Sequence, residues 1–286
     1  MFGWFRKRQS GGAQQRASPT DYRAFTTKYD REVNAQQLPD PDISERDSRF
    51  PAYPEDDAGI RAGIIQQTQR FGEIGPLVRP TAVSILLDHS GSLRGEKAVL
   101  SAVTAGVLSS ALHRIGAAHE VLGFTTRSWR GGQAYQDWVA AGRPAGPGRL
   151  CELLHIIYRP FSETGPVSPD DLTLLAFPSL LKENIDGEAV AWALSRLQQI
   201  DADSKVLIVV SDGAPVDDAT LISNGPHILF DHLQHTLKTA SADGAIKIVG
   251  VGICHDMSSL YNDYVVVHSL DDIADAAAPA LARWLA

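Results

Sequence analysis

Three short stretches carry side chains able to hold a hard cation between them. Asp88-His89-Ser90-Gly91-Ser92 places a carboxylate and two hydroxyls at every second position. Ser211-Asp212-Gly213 and Asn184-Ile185-Asp186-Gly187-Glu188 add further carboxylates. Asp88, Ser90, Ser92, Asp186 and Asp212 offer only oxygen, which suits Mg²⁺, Mn²⁺ or Ca²⁺ rather than Zn²⁺ or copper. Each part alone has a plainer reading. Asp88, Ser90 and Ser92 can cap a helix, Ser211–Gly213 can be a strand-end turn, and residues 184–187 can be a turn before a helix. Their combination in this order, each beside the right element, favours the metal site.

Those residues need elements to bring them together. Residues 83–87 and 206–210 are apolar runs that end at Asp88 and just before Asp212, as buried parallel strands do. Residues 120–125, 246–253 and 264–267 read as further strands. Residues 95–115, 149–158, 187–200, 226–242 and 271–285 read as helices, the first with Val99, Val103, Val107, Leu108, Leu112 and Ile115 on one stripe. This alternation predicts an α/β, Rossmann-like fold, a mostly parallel central sheet with helices on both faces. In such sheets ligands bind beyond the carboxyl ends of the strands, where these residues fall.

The first 80 residues differ. Residues 1–20 hold four basic and no acidic residues among many Gln, Ser and Gly, and read as a disordered tail. Tyr22, Phe25, Tyr29 and Val33 form either one helical face or a segment docked on the main domain. Pro39, Pro41, Pro51 and Pro54 mark an extended connector. The expected organisation is a partly disordered arm over 1–80 and the α/β domain over 81–286. With 26 Lys and Arg against 34 Asp and Glu, the 286 residues carry a formal charge of −8, which argues against a nucleic-acid partner. Two cysteines exclude a disulfide framework. There is no apolar run of membrane-spanning length and no signal-peptide pattern, so the expected location is cytoplasmic.

The order of the cation-binding stretches resembles the metal-ion-dependent adhesion site of von Willebrand factor A domains. Longer blocks resemble the C-terminal domain of the CobT family of cobaltochelatase subunits. They are Asp88-His-Ser-Gly-Ser-Leu-Arg-Gly95, Leu122-Gly-Phe-Thr-Thr-Arg127, Pro147-Gly-Arg-Leu150, Leu181-Lys-Glu-Asn-Ile-Asp-Gly-Glu-Ala189, Ser211-Asp-Gly-Ala-Pro-Val-Asp-Asp218 and Gly252-Ile-Cys-His-Asp256. The family's full members carry an N-terminal region and a long acidic stretch absent here, so the sequence reads as a short relative.

The resemblance implies a non-catalytic adaptor in cobalt insertion into a corrin ring, during aerobic cobalamin biosynthesis. It implies a metal, most simply Mg²⁺, an AAA+ ATPase partner of the MoxR or CobS kind, and a large chelatase subunit. The alternative is a module of the same fold serving a MoxR-type ATPase outside cobalamin synthesis. No Gly-x-x-x-x-Gly-Lys-Ser/Thr loop occurs, so ATP chemistry is expected of the partner.

Adhesion-type sites commonly have Thr where this chain presents Asp186, and three carboxylates against a divalent ion leave a net negative site. Thr164 is a weaker candidate for that hydroxyl. Against a phosphohydrolase, kept as a third reading, Ser90 stands where a second acid would be needed; a catalytic serine fails because no nucleophile elbow surrounds either serine. His227, His232 and His235 read as solvent-facing or partly packed. His255 and Asp256 are read equally as loop residues or as neighbours of the site. Cys151 and Cys254 read as buried small hydrophobes. Trp129, Tyr135 and Trp138, beside or within the Gly-rich insert 131–148, face either a partner or the domain.

Overall fold

The computed structural model describes residues 22–38 and 54–286. The basic tail and most of the proline-rich connector lie outside those residues. Seven strands form one sheet: β1 (Arg31–Asn34), β2 (Thr81–Asp88), β3 (Ala118–Thr126), β4 (Leu153–Arg159), β5 (Ser204–Ser211), β6 (Lys247–Ile253) and β7 (Tyr264–Val267). Their spatial order is β1-β4-β3-β2-β5-β6-β7. All neighbouring pairs are parallel except β3 with β4. The helices are α1 (Pro54–Arg70), α2 (Glu96–Arg114), α3 (Gly132–Ala140), α4 (Pro169–Leu172), α5 (Asp186–Gln198), α6 (Asp218–Asn224), α7 (Ile228–Asp243), α8 (Leu270–Asp272) and α9 (Ala278–Leu285).

Alternation along the strands divides the core into two layers. Val83, Ile85 and Leu87 of β2 pack with Val103 of α2, Ile60 of α1 and Trp284 of α9. Ala82 and Leu86 point the other way, among Val190 and Leu194 of α5 and Leu233 of α7. Every residue of β2 is buried, as expected of a central strand covered on both faces. The register that sets Leu87 beside Val210 puts Asp88 and Ser211 at the same level of the carboxyl edge.

Three expectations need correction, and one alternative is decided. Residues 149–158 are not a helix: β4 runs there, antiparallel to β3, with β1 added as its parallel partner. Ile156, Ile157 and Tyr158 are strand formers, and ten residues were too few for a helical stripe to be told from a half-buried strand. Because β4 is reversed, the loop after it opens at the opposite edge, and Thr164 is exposed there, away from the metal-site residues. The Gly-rich insert contains a helix, α3, whose Trp138 packs against Leu150 and Ala219. Cys151 is buried but Cys254 is exposed, at a positive-φ residue (53°) just past β6.

The segment before residue 81 packs on this body. Arg149 is wholly buried and pairs with Asp30 at 2.6 Å and Glu188 at 2.7 Å. Tyr22 donates to Glu188 at 2.7 Å. The backbone of Phe25 donates to Arg149 O and that of Arg149 to Arg23 O. Helix α1 lies across α2 at Gly106, where an added Cβ would come within 2.6 Å of Ile64. Among the described residues no helix is long and apolar enough to cross a membrane.

Candidate metal centre

Asp88 ends β2 wholly buried, and its carboxylate is ringed by donors. The Ser90 amide donates to Oδ1 at 2.8 Å, while Ser90 Oγ and Ser211 Oγ donate to Oδ2 at 3.1 and 2.8 Å. The Ser90 and Ser92 hydroxyls lie 2.9 Å apart; Ser92 Oγ donates to Asp212 Oδ1 at 2.8 Å, and Ser90 Oγ stands 3.3 Å from the same oxygen. Two strand ends, β2 and β5, therefore bring four of the five expected residues into one hydrogen-bonded group. Burial first, then the charge of Asp212, pushes Asp88 up to about 7, against the lowering effect of its hydrogen bonds from Ser211 and Ser90.

Asp186, the fifth, opens α5. It is buried and accepts from Asn184 Nδ2 at 2.8 Å. Burial and the charge of Asp88 raise its proton affinity well above the ordinary carboxylate range, with a smaller part from Asp212. A hydrogen bond ties it to the neighbouring loop, and only with a cation in place of its proton would it add a third negative charge to the centre.

Loops lace the centre from the side. Gly91 donates to Lys182 O at 2.6 Å and Lys182 to His89 O at 3.0 Å. Asn184 and Val216 exchange backbone bonds at 2.9 and 3.1 Å, which zips the Asp186 loop to the Asp212 loop. Glu183 accepts from the amides of Arg130 and Asp218, at 2.7 and 2.9 Å. Burial, followed by the charge of Asp217, pushes Glu183 up to about 8. Trp129 is 47% exposed beside Gly91, where a Cβ would meet its ring at 2.9 Å. Glycine is what lets the ring lie so close to the loop.

Two participants were not foreseen. Ser211 fixes Asp88, and Lys97, in the first turn of α2, places Nζ 2.6 Å from Asp212 Oδ2. A lysine at a helix start, where the exposed amides disfavour positive charge, was the available sign. His89 turns away from the centre: Nε2 is 2.6 Å from the Tyr158 hydroxyl, and burial lowers its affinity to about 4. His232 stacks on Tyr22, ring centroids 3.6 Å apart. His255 and Asp256 are exposed, with Asp256 accepting from the Ser258 amide.

The donor set fits a hard divalent cation. It is all oxygen, and the buried carboxylates lack enough positive charge nearby to balance them. No group of three or more His, Cys, Asp or Glu suited to a metal occurs among the described residues, so a cation here depends on the serine hydroxyls.

A mostly parallel sheet between two helical layers, with D-x-S-x-S on one strand end and an Asp on the next, defines a von Willebrand factor A-type domain. Among solved structures, the pilus adhesin SpaC from Lactobacillus rhamnosus GG is similar at 12% identity and TM-score 0.45, over 75% of this chain and 31% of that one. The vWF domain of the type V pili tip protein Mfa5 from Porphyromonas gingivalis is similar at 11% identity and TM-score 0.46, over 72% of this chain and 94% of that one. The chain thus spans about a third of the SpaC chain. Residues 75–286 match the family described as the cobalamin biosynthesis protein CobT VWA domain, and the chain belongs to it. That family places it in the setting of cobalamin biosynthesis.

Proposed function

We propose that this chain is a non-catalytic adaptor of a cobaltochelatase. It binds an AAA+ ATPase of the MoxR or CobS kind through a divalent cation, Mg²⁺, at the carboxyl edge of the sheet. Asp88, Ser90, Ser92 and Asp212 hold the ion, with Asp186 supplying charge from its loop. The observation that carries this reading is the hydrogen-bonded convergence of those four residues in a chain of the CobT family.

The cation would supply a Lewis-acid position that a carboxylate of the partner can complete. The residues of this chain do the rest. Burial of Asp88 and Asp212 keeps water from competing for the carboxylates, and the laced loops fix the hydroxyls before any partner arrives. Trp129 and Val216, both exposed, flank the two loops with apolar surface.

The test is capture of partners from the host by the tagged protein, with Mg²⁺ and with EDTA, identified by mass spectrometry. An AAA+ ATPase recovered with Mg²⁺, lost with EDTA and lost for Asp88→Ala supports the reading. Capture of the ATPase with a large chelatase subunit supports the cobalamin role, and the ATPase without it supports the other MoxR setting. Capture indifferent to EDTA overturns the metal-dependent adaptor.

A further inference from the structure

We infer that Lys97 is the fixed counter-charge of the metal centre, offsetting the third carboxylate, Asp186, so that the loaded site is neutral. This rests on the metal reading above. Lys97 Nζ lies 2.6 Å from Asp212 Oδ2, while Asp212 Oδ1 faces the hydroxyls of Ser90 and Ser92. The lysine therefore takes the far oxygen and leaves the near one for the cation. The Asp212 side chain is 1% exposed and that of Lys97 36%, so the ammonium reaches from the rim to a buried charge.

Local preference does not explain a lysine at this position. As the second residue of α2 it stands at the positive end of the helix dipole. Asp212 is what holds it there. The charges explain the arrangement: three carboxylates and a divalent ion leave one negative charge, which one ammonium cancels. Neutrality removes the net repulsion that an incoming carboxylate would meet. It also weakens the hold on the cation, because the ammonium repels it through the short distance and intermediate dielectric of the site.

The test is Mn²⁺ binding by electron paramagnetic resonance and calorimetry, on the whole protein, for wild type, Lys97→Met, Asp186→Asn and the double variant. Lys97→Met keeps the aliphatic stem, and circular dichroism checks that each variant is folded. Lys97→Met should bind Mn²⁺ about tenfold more tightly than wild type, and Asp186→Asn about tenfold more weakly. The double variant restores the wild-type charge and should return to within about threefold of wild-type affinity. Lys97→Gln, which keeps a donor to Asp212 without the charge, should follow Lys97→Met. Unchanged or weaker binding by Lys97→Met and Lys97→Gln overturns the role given to Lys97 and leaves the metal site standing. No Mn²⁺ binding by any of the folded proteins overturns both.

Discussion

At Asp88 the carboxylate is wholly buried and shares its surroundings with a second acid, so a cation that binds there must stabilise the folded state. At a Mg²⁺ concentration a hundredfold above Kd, mass action contributes about 2.7 kcal/mol, or roughly 5–10 °C in melting temperature. Asp88→Ala should abolish that shift in a thermal melt, and an equal shift in both proteins would remove Asp88 from the ligand set. Asp186→Thr should weaken Mg²⁺ binding, because a hydroxyl replaces a carboxylate. At saturating Mg²⁺ it should strengthen binding of an acidic partner, measured by calorimetry with the ATPase. Weaker partner binding would mean that Asp186 touches the partner itself. The carboxylates and hydroxyls of the candidate centre were legible because metal chemistry restricts residue type and spacing within a few positions of a strand end. Ser211 and Lys97 were not, since each acts through another residue across more than a hundred positions of chain.

The elements that read clearly are those whose neighbours repeat the same information. Strands β2 and β5 are apolar on both faces and flank each other, so their sequence alone marks them as central. Strand β4 and helix α1 depend on partners distant in sequence. In α1 the spacing of Ile60, Ile64, Gln67 and Phe71 was a helical face that the nearby prolines obscured. In β4 the deciding partner is β1, and β1 is held in place by Arg149 with Asp30. Burial alone would lower the proton affinity of Arg149, but hydrogen bonding to Asp30 and the charge of Glu188 hold it above its usual value. Arg149→Met removes the cation and strands two acids, a loss of about 3–5 kcal/mol. Hydrogen exchange should then rise over residues 22–38 and along β4 before it rises in β2 and β5. Uniform loss of protection would show instead that the segment and the sheet open as one unit.

Taken whole, the molecule gathers buried acids at the carboxyl edge of its sheet, and its stability should record them. Glu183 binds protons more tightly folded than unfolded, at about 8 against the ordinary carboxylate range, and Asp88 does so at about 7. Between roughly pH 4.5 and 8 the native state thus carries protons that the unfolded chain has lost, and stability must fall as pH rises. The buried histidines act on the other side. Burial lowers His89, His119, His155 and His232 to about 4, so unfolding takes up protons below pH ~6.5 and stability falls as the solution is acidified. The metal-free protein should be most stable near pH ~6. Asp217→Asn tests the alkaline limb. Asp217 Oδ1 caps α6 by accepting from Thr220 N at 2.7 Å, a bond that Asn keeps. Its Oδ2 is buried against the Glu183 carboxyl with no fixed N–H or O–H donor, and an Asn amide there can donate to Glu183 in its ionised form. The variant should melt at least ~3 °C above wild type at pH 8.5 and within about a degree of it at pH 5. A parallel offset at both pH values would trace the gain to the new hydrogen bond alone. An unchanged alkaline slope would mean that Glu183 is not what titrates.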